Sequence, residues 1–228
     1  MAIEDNIDSV KQRIKNSCQK IDRDASEITL IAISKTIPAE MIKVAVENGI
    51  EHIGENRVQE ADKKFEQLGK IATWHLVGHL QTNKVKKALQ IFDFIHSVDS
   101  YHLAEEISKR VLQFGQTVEC LVEVNTSGET TKFGVSPDET LELAKKISFL
   151  PGIQIKGLMT IGAFLPDPEE VRPCFKLLKE LRDEIQNAGL QNVEMKYLSM
   201  GMTNDFEVAI EEGANMIRVG RAIFGERF

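Results

Sequence analysis

A lysine follows an apolar, β-branched stretch near the start of the chain. Residues 28–34 read Ile-Thr-Leu-Ile-Ala-Ile-Ser, and Lys35 comes next. Apolar runs with little polar alternation are typical of strands buried on both faces, as in a parallel sheet. Pro38 suits the first turn of a helix, so a helix is expected just after Lys35. The pattern therefore places Lys35 at the carboxyl end of a buried strand, the edge where α/β proteins bind ligands.

Lys35 could act there as a nucleophile. Loss of solvation favours the neutral amine, and a neutral amine forms an imine with an aldehyde. The alternative interpretation is a strand-end lysine whose ammonium reaches water. This stretch alone favours the alternative, so the rest of the chain has to decide between them.

Two glycine-containing stretches near the C-terminus suggest a phosphate site. Residues 198–205 leave a strand through Ser199 and Gly201, and residues 218–225 leave the next strand through Gly220. Loops after strands seven and eight of (β/α)8 barrels often hold phosphate on backbone N–H groups at a helix N-terminus. Glycines that serve turn geometry alone are the other interpretation, which two such loops side by side disfavour. An imine-forming lysine and a phosphate cradle together indicate a phosphorylated aldehyde, for which pyridoxal 5′-phosphate (PLP) is the obvious candidate.

Eight segments read as strands, and a helix or helical turn follows each of them. The strands are predicted at residues 28–35, 50–56, 73–79, 92–98, 117–124, 153–159, 193–199 and 216–220. Such alternation implies a parallel sheet with helices outside it. We expect an α/β fold, a single (β/α)8 TIM barrel over residues 1–228, with an extra N-terminal helix at residues 3–23. An open doubly wound sheet is the alternative, but its glycine-rich fingerprint after the first strand is absent.

The residues at the predicted strand exits are mostly polar, and a closed barrel would bring them to one rim. They are Lys35, Asn56, His79, Asp99, Asn125, Met159, Ser199 and Arg218. Taken singly, the asparagines and the aspartate read as helix caps or turn residues. A metal pair of His75 and His79 is disfavoured, because Gly78 and a strand geometry break helical spacing. His96 and His102 have no ligand spacing and read as ordinary polar residues.

Composition excludes several classes of protein. The net charge is −7 with acids and bases interspersed, which argues against a nucleic-acid-binding surface. No apolar run is long enough to span a bilayer, and the N-terminal residues do not resemble a signal peptide. The three cysteines are odd in number and widely spaced, which suits a reducing compartment. A cytoplasmic protein that binds neither nucleic acid nor membrane is therefore expected.

Six stretches carry a resemblance to a known family. They are residues 32–36 (AISKT), 54–60 (GENRVQE), 74–84 (WHLVGHLQTNK), 157–159 (GLM), 198–202 (LSMGM) and 218–225 (RVGRAIFG). In these stretches the chain closely resembles the pyridoxal phosphate homeostasis protein family, also called the proline synthase co-transcribed family. The resemblance implies a fold similar to the barrel domain of alanine racemase, and PLP as the cofactor.

The resemblance also implies roles for particular residues. It makes Lys35 the Schiff-base lysine and places Arg218 opposite the pyridine nitrogen. Because an arginine does not give up its proton, that nitrogen would stay unprotonated and the ring would be a weaker electron sink. The phosphate would lie on Ser199, Gly201, Gly220 and the backbone N–H of Arg221, with Met159 near the ring and Asn56 and His79 at the mouth.

Three positions bear on the family pattern. Ile37 stands where some members carry a second lysine, and Arg221 stands where many have a threonine whose hydroxyl would meet the phosphate. Lys132 matches a lysine common in the family, with a solvated loop charge as its alternative interpretation.

Three functions compete. The first is a PLP-binding protein that holds the cofactor at Lys35 for intracellular PLP homeostasis, with PLP-dependent apoenzymes as candidate partners. The alternative is a PLP-dependent amino-acid racemase-like enzyme; the third is an aldolase acting on a sugar phosphate. Related racemases use a tyrosine from a second, β-rich domain, whereas here only residues 221–228 follow the last strand and the two tyrosines are Tyr101 and Tyr197. The first function is therefore expected, without efficient racemase or decarboxylase activity, in a monomer.

Overall fold

Eight parallel strands close into a barrel in which each strand pairs with the next and the last pairs with the first. The computed structural model describes residues 2–225. The strands are β1 (Thr29–Ile33), β2 (His52–Glu55), β3 (Thr73–Leu76), β4 (Phe94–Val98), β5 (Val118–Glu123), β6 (Ile153–Met159), β7 (Val193–Met202) and β8 (Met216–Val219). The closed (β/α)8 barrel predicted from the sequence is confirmed, and the open sheet is excluded.

Helices surround the barrel and link its strands. They are α1 (Ile3–Lys20), α2 (Ala39–Glu47), α3 (Val58–Leu68), α4 (Val85–Ala88), α5 (Tyr101–Phe114), α6 (Thr140–Ser148), α7 (Arg172–Asn187), α8 (Phe206–Glu211) and α9 (Arg221–Phe224). Short 3-10 turns precede several of them. None of the helices within the described residues has both the length and the apolar character needed to cross a membrane.

The extra N-terminal helix is present as α1. Its buried side chains, which include Ile7, Val10, Ile14 and Cys18, recur every three or four residues and so form one apolar face. The Asn6 amide donates to the carbonyl of Ile223 at 2.9 Å. Helix α1 thus packs beside α9.

The core has two layers. A large cluster fills the space between strands and helices, and Trp74, Phe175 and Phe206 are among its largest fully buried side chains. A small cluster lies inside the barrel and consists of Ile31, Phe94, Leu121, Met159 and Met216. This interior cluster is the apolar floor beneath the C-terminal rim.

Two elements near the rim deserve comparison with the predicted pattern. The helical segment after the third strand is short and consists of a 3-10 turn at Thr82–Lys84 and the single turn of α4. Strand β7 was expected to end at Ser199, but it continues to Met202. A bulge makes this extension possible, since three steps along β7 from Ser199 to Met202 match two steps along β8.

Candidate functional site

A cavity of about 600 Å³ lies at the C-terminal rim, beside β1, β7 and β8. Its polar lining consists of Lys35, Thr203, Asn204, Asp205, Arg218 and Arg221. Apolar side chains, among them Ile33, Ala163 and Met202, form the rest of the wall together with Gly220. Cavities of this size and mixed lining are typical of small-molecule sites.

Lys35 enters this cavity from a tight turn between β1 and α2. It is half-buried and stands two residues beyond the last residue of β1. Thr36, which follows it, has a φ of +66°, a left-handed conformation that is unfavourable for a β-branched residue. The turn therefore stores backbone strain directly next to the lysine.

Arg218 forms the cavity's inner end. Its guanidinium is almost fully buried; Nη1 donates to Ser199 Oγ at 2.6 Å and Nη2 donates to the carbonyl of Thr160 at 2.7 Å. Burial lowers the pKa of Arg218 to about 10, an effect that Asp205 and Glu123 oppose. The guanidinium thus keeps its charge at neutral pH and is fixed by two acceptors.

A file of three histidines leads through the barrel interior to Arg218. His52 Nδ1 lies 3.0 Å from His75 Nε2, His75 Nδ1 lies 2.9 Å from His96 Nε2, and His96 Nδ1 lies 3.0 Å from Ser199 Oγ. We call His52, His75, His96 and Ser199 the histidine file. A neutral imidazole has one donor and one acceptor, so the three rings must all share one tautomer.

Burial keeps the histidine file neutral. It lowers the pKa of His75 to about 3 and that of His96 well below its ordinary value, and the pKa of the half-buried His52 is lowered in the same direction. The three imidazoles therefore order Ser199, and through it Arg218, without adding a positive charge near neutral pH.

The chain is similar to known proteins over nearly its whole length. The family model for the N-terminal domain of alanine racemase matches residues 2–227. A pyridoxal phosphate homeostasis protein of Aquifex aeolicus is 45% identical over 224 residues, covering 98% of this chain and 97% of that protein. The chain belongs to the pyridoxal phosphate homeostasis protein family.

Solved structures agree with membership of this family. A protein of unknown function from Bifidobacterium adolescentis superposes with a TM-score of 0.93 at 41% identity, covering 97% of this chain and 94% of that one. PipY of Synechococcus elongatus PCC7942, solved with PLP bound, superposes with a TM-score of 0.84 at 34% identity, covering 98% and 100%. The family and the alanine racemase-like fold expected from the sequence are therefore confirmed.

The cavity brings together part of the site that the family resemblance implies. Lys35, Arg218, Gly220 and Arg221 all line it. Ser199 and Met159 do not: both are fully buried in the barrel interior, Ser199 within the histidine file and Met159 within the interior apolar cluster.

Gly201 has a packing role. Its φ is +89°, and a Cβ built on it would lie 2.8 Å from Phe206 Cα and 2.6 Å from Ala209 Cβ. Glycine is therefore required for α8 to lie against β7. The residues that reach the cavity from this side are Met202–Asp205, because β7 is longer than predicted.

Asn56 and His79 lie apart from the cavity lining. His79 Nδ1 is 3.3 Å from Asp99 Oδ2, and its ring stacks on Phe133 with centroids 3.9 Å apart. Asn56 directly follows β2 and is half-buried. Glu123 is buried at the end of β5, where burial, followed by the charge of Asp99, raises its pKa to about 7. Glu123 and Asp99 thus place two carboxyl groups near each other, apart from the cavity lining.

The structure adds residues that sequence reasoning did not single out. Thr203, Asn204 and Asp205 line the cavity, and their signal was the helix start that follows Gly201.

Lys132, which the family resemblance singled out, is held in its loop by Glu129 Oε1 at 2.6 Å and by the carbonyl of Gly162 at 2.9 Å. Its ammonium lies 4.9 Å from the ring centroid of Phe164, a cavity residue.

Proposed function

We propose that this protein binds PLP covalently through Lys35 and serves PLP homeostasis as a binding protein rather than as a racemase or decarboxylase. The observation that carries the proposal is the convergence of Lys35, Arg218 and the start of α9 on one cavity. The PLP-bound PipY structure and the name of the Aquifex aeolicus relative support it.

The residues present fit this cofactor. Its aldehyde needs a primary amine, its phosphate needs N–H and hydroxyl donors, and its aromatic ring needs apolar walls. The cavity offers the Lys35 amine, the Thr203 hydroxyl and the backbone around Gly220, with Ile33 and Met202 as walls. When bound, PLP supplies a reactive aldehyde and a conjugated ring that can accept electrons.

Lys35 and Arg218 have different tasks in the proposal. Lys35 supplies the amine that bonds to the aldehyde. Arg218 stays protonated, because its pKa of about 10 lies well above neutral, so it presents only donors to the cofactor. Its partners Ser199 and Thr160 hold the guanidinium in place. A ring nitrogen facing Arg218 would remain unprotonated, which limits electron withdrawal from a bound amino acid.

Proton transfer on both faces of a substrate would need a second acid–base group opposite Lys35. Tyr101 is exposed at the start of α5, and Tyr197 packs edge-on against Phe94 in the barrel interior. Among the described residues, Asp205 is the one carboxyl group in the lining, and it accepts the N–H of Met202. These positions favour a binding role over racemisation.

The test begins with absorption spectra of the protein with added PLP. Borohydride reduction and mass spectrometry then locate the modified residue. A new absorption band with the pyridoxyl group on Lys35, both lost in Lys35→Ala, is the expected result. Label scattered over surface lysines would overturn the proposal. Rapid, Lys35-dependent turnover of amino acids or sugar phosphates would overturn the binding role and restore an enzymatic one.

The finer parts of the proposal concern transfer, assembly and location. We infer that bound PLP is released to external amines and to PLP-dependent apoenzymes, and that the protein acts as a cytoplasmic monomer. The three cysteines are buried free thiols, as suits a reducing compartment. Failure of a PLP-dependent apoenzyme to gain activity from the loaded protein faster than from released PLP would contradict direct transfer.

A further inference from the structure

Both peptide bonds of Lys35 are held by side chains of α3. The carbonyl of Ser34, which belongs to the peptide bond before Lys35, accepts a hydrogen bond from Lys64 Nζ at 2.6 Å. The N–H of Thr36, which belongs to the peptide bond after Lys35, donates to Glu60 Oε1. Lys64 and Glu60 are themselves joined, with Nζ 2.7 Å from Oε1. The backbone on either side of Lys35 is thus fixed by one pair of side chains four residues apart on one helix.

Glu55 connects this pair to the barrel wall. Its Oε1 accepts from Lys64 Nζ at 2.6 Å and from Ser34 Oγ at 2.6 Å. Glu55 is fully buried and only 9% of the Lys64 side chain is exposed. We call Glu55, Glu60, Lys64 and Ser34 the Lys35 clamp. Its charges neutralise one another only in part, because two carboxylates face one ammonium.

Burial sets the electrostatics of the clamp. It raises the pKa of Glu55, against the opposing effect of Lys64, and Oε2 of Glu55 is buried without a hydrogen-bond partner in the described part of the chain. For Glu60, burial is outweighed by the hydrogen bonds from Lys64 and Thr36, so its pKa is lowered. Burying these charges costs free energy, which the hydrogen bonds within the clamp offset.

The clamp holds the strained turn at Thr36 in place. A threonine in the left-handed region persists only when its surroundings determine its conformation, and the contact between the Thr36 N–H and Glu60 does so. Along β1 the side chains of Ile31 and Ile33 face the interior, and Ser34 faces Glu55. The next residue, Lys35, continues the inward alternation of Ile31 and Ile33 and lines the cavity, and the held turn follows it directly.

We propose that Glu60 and Lys64, anchored by Glu55, are positioning residues that set the Lys35 amine for attack on an aldehyde. They act through the two peptide bonds of Lys35 and do not line the cavity. The inference rests on the proposed function at Lys35. It predicts that clamp variants react slowly with PLP while the cavity itself still accepts a cofactor of the same shape.

The experiment compares three substitutions on α3. Glu60→Ala removes the acceptor for the Thr36 N–H, Glu60→Gln keeps an oxygen there, and Glu66→Ala makes the same truncation at an exposed position of the same helix. Two measurements are made for each: the rate of covalent PLP attachment by stopped-flow absorbance, and the affinity for pyridoxine 5′-phosphate, which has an alcohol in place of the aldehyde.

Glu60→Ala should slow attachment on the order of 10- to 100-fold, because small displacements of a reacting group have effects of that size. Its affinity for pyridoxine 5′-phosphate should change less than about twofold, well below the tenfold change that 1.4 kcal/mol produces. Glu60→Gln should restore most of the rate, and Glu66→Ala should match the wild-type protein. Equal rates for Glu60→Ala and Glu66→Ala would overturn the inference, as would parallel losses of rate and affinity.

Folding and the proposed function are kept separate from this test. The variant Glu55→Gln/Lys64→Met removes the two buried charges together and leaves only the carboxylate of Glu60, which solvent reaches. It too should attach PLP slowly if it is folded by circular dichroism, and wild-type rates would count against the clamp. A wild-type protein that is not labelled at Lys35 would refute the proposed function itself. A labelled wild-type protein with unaffected Glu60→Ala rates would refute only the positioning role.

Discussion

The Lys35 clamp and the histidine file hold the two ends of one cavity by opposite electrostatic means. The clamp lies outside the barrel wall, between β2 and α3, and joins two carboxylates to one ammonium at 2.6–2.7 Å. The file lies inside the barrel and joins three imidazoles at 2.9–3.0 Å. Burial keeps those imidazoles neutral. The clamp fixes the backbone of Lys35 with charged side chains, and the histidine file fixes Arg218 with neutral ones.

The two clusters differ because Lys35 must present an amine, whereas Arg218 must keep its charge in a buried place. The clamp donates to and accepts from the two peptide bonds beside Lys35. Arg218 has to stay charged in a fully buried place, and a second cation nearby would raise the cost of that burial. Neutral imidazoles can order Ser199 and Arg218 without adding to it. Loss of a charged partner should therefore destabilise the clamp, whereas the stability that the file contributes should depend on pH.

The largest effect is expected from breaking the clamp on one side. Lys64→Met leaves Glu55 buried without its cation, and the unpaired charge should lower the free energy of unfolding by ~3–5 kcal/mol. Urea denaturation at neutral pH measures the loss. The exposed neighbour Lys63 provides the matched control: Lys63→Met should change stability by less than ~0.5 kcal/mol.

The double variant sharpens this prediction. Adding Glu55→Gln to Lys64→Met removes the unpaired carboxylate, so most of the lost stability should return. A single variant Lys64→Met that unfolds at nearly the wild-type urea concentration would show that water or another cation compensates Glu55, and the contrast with the histidine file would disappear.

A smaller effect, and one that depends on pH, is expected from breaking the file. His75→Phe leaves Nε2 of the fully buried His96 without its partner, at ~1–3 kcal/mol, whereas the half-buried His52 can replace its lost partner with water. The pKa of His75 is about 3 in the folded protein against 6.5 ordinarily. Between these values the unfolded chain binds more protons, so the stability that His75 contributes is full above pH 6.5 and is lost as the pH falls towards 3.

The stability difference between wild type and His75→Phe should therefore shrink as the pH is lowered from 7 to 4. Groups common to both proteins, such as Glu123, cancel in this difference. Denaturation curves measured at several pH values provide the test. A difference that stays constant with pH would mean that the file is already protonated at pH 7, or that solvent reaches His75.

Much of the fold was predictable because it depends on local patterns. Apolar β-branched runs separated by helices marked all eight strands, and the lysine that ends the first run pointed to the cavity. The histidine file was not found, because its contacts join residues of different strands. Its signal was period-two alternation, which places His52, His75 and His96 on the inner faces of β2, β3 and β4.

The clamp left a different signal in the sequence. Lys64 lies on the apolar face of α3, in step with Val58, Ala61 and Phe65. A lysine on that face is expected to be buried and therefore to have a partner. The depth of Ser199 could not be read from sequence, because a bulge in β7 adds one residue between it and the rim. Single-residue irregularities of this kind depend on the pairing of two strands rather than on the strand itself.

The smallest effect is expected at the turn that the clamp holds. Thr36→Gly removes ~1–2 kcal/mol of left-handed strain and adds ~0.5–1 kcal/mol of backbone freedom in the unfolded chain. The net result should be a gain of at most ~1.5 kcal/mol in the free energy of unfolding. In a Glu60→Ala background the turn is released, Thr36 can relax, and the same substitution should give no gain or a small loss. Urea denaturation of the four proteins forms a double-mutant cycle whose coupling energy measures the strain that Glu60 imposes. If Thr36→Gly stabilises both backgrounds equally, the strain is independent of the clamp, and Glu60 accepts a hydrogen bond from a turn that the chain would form without it.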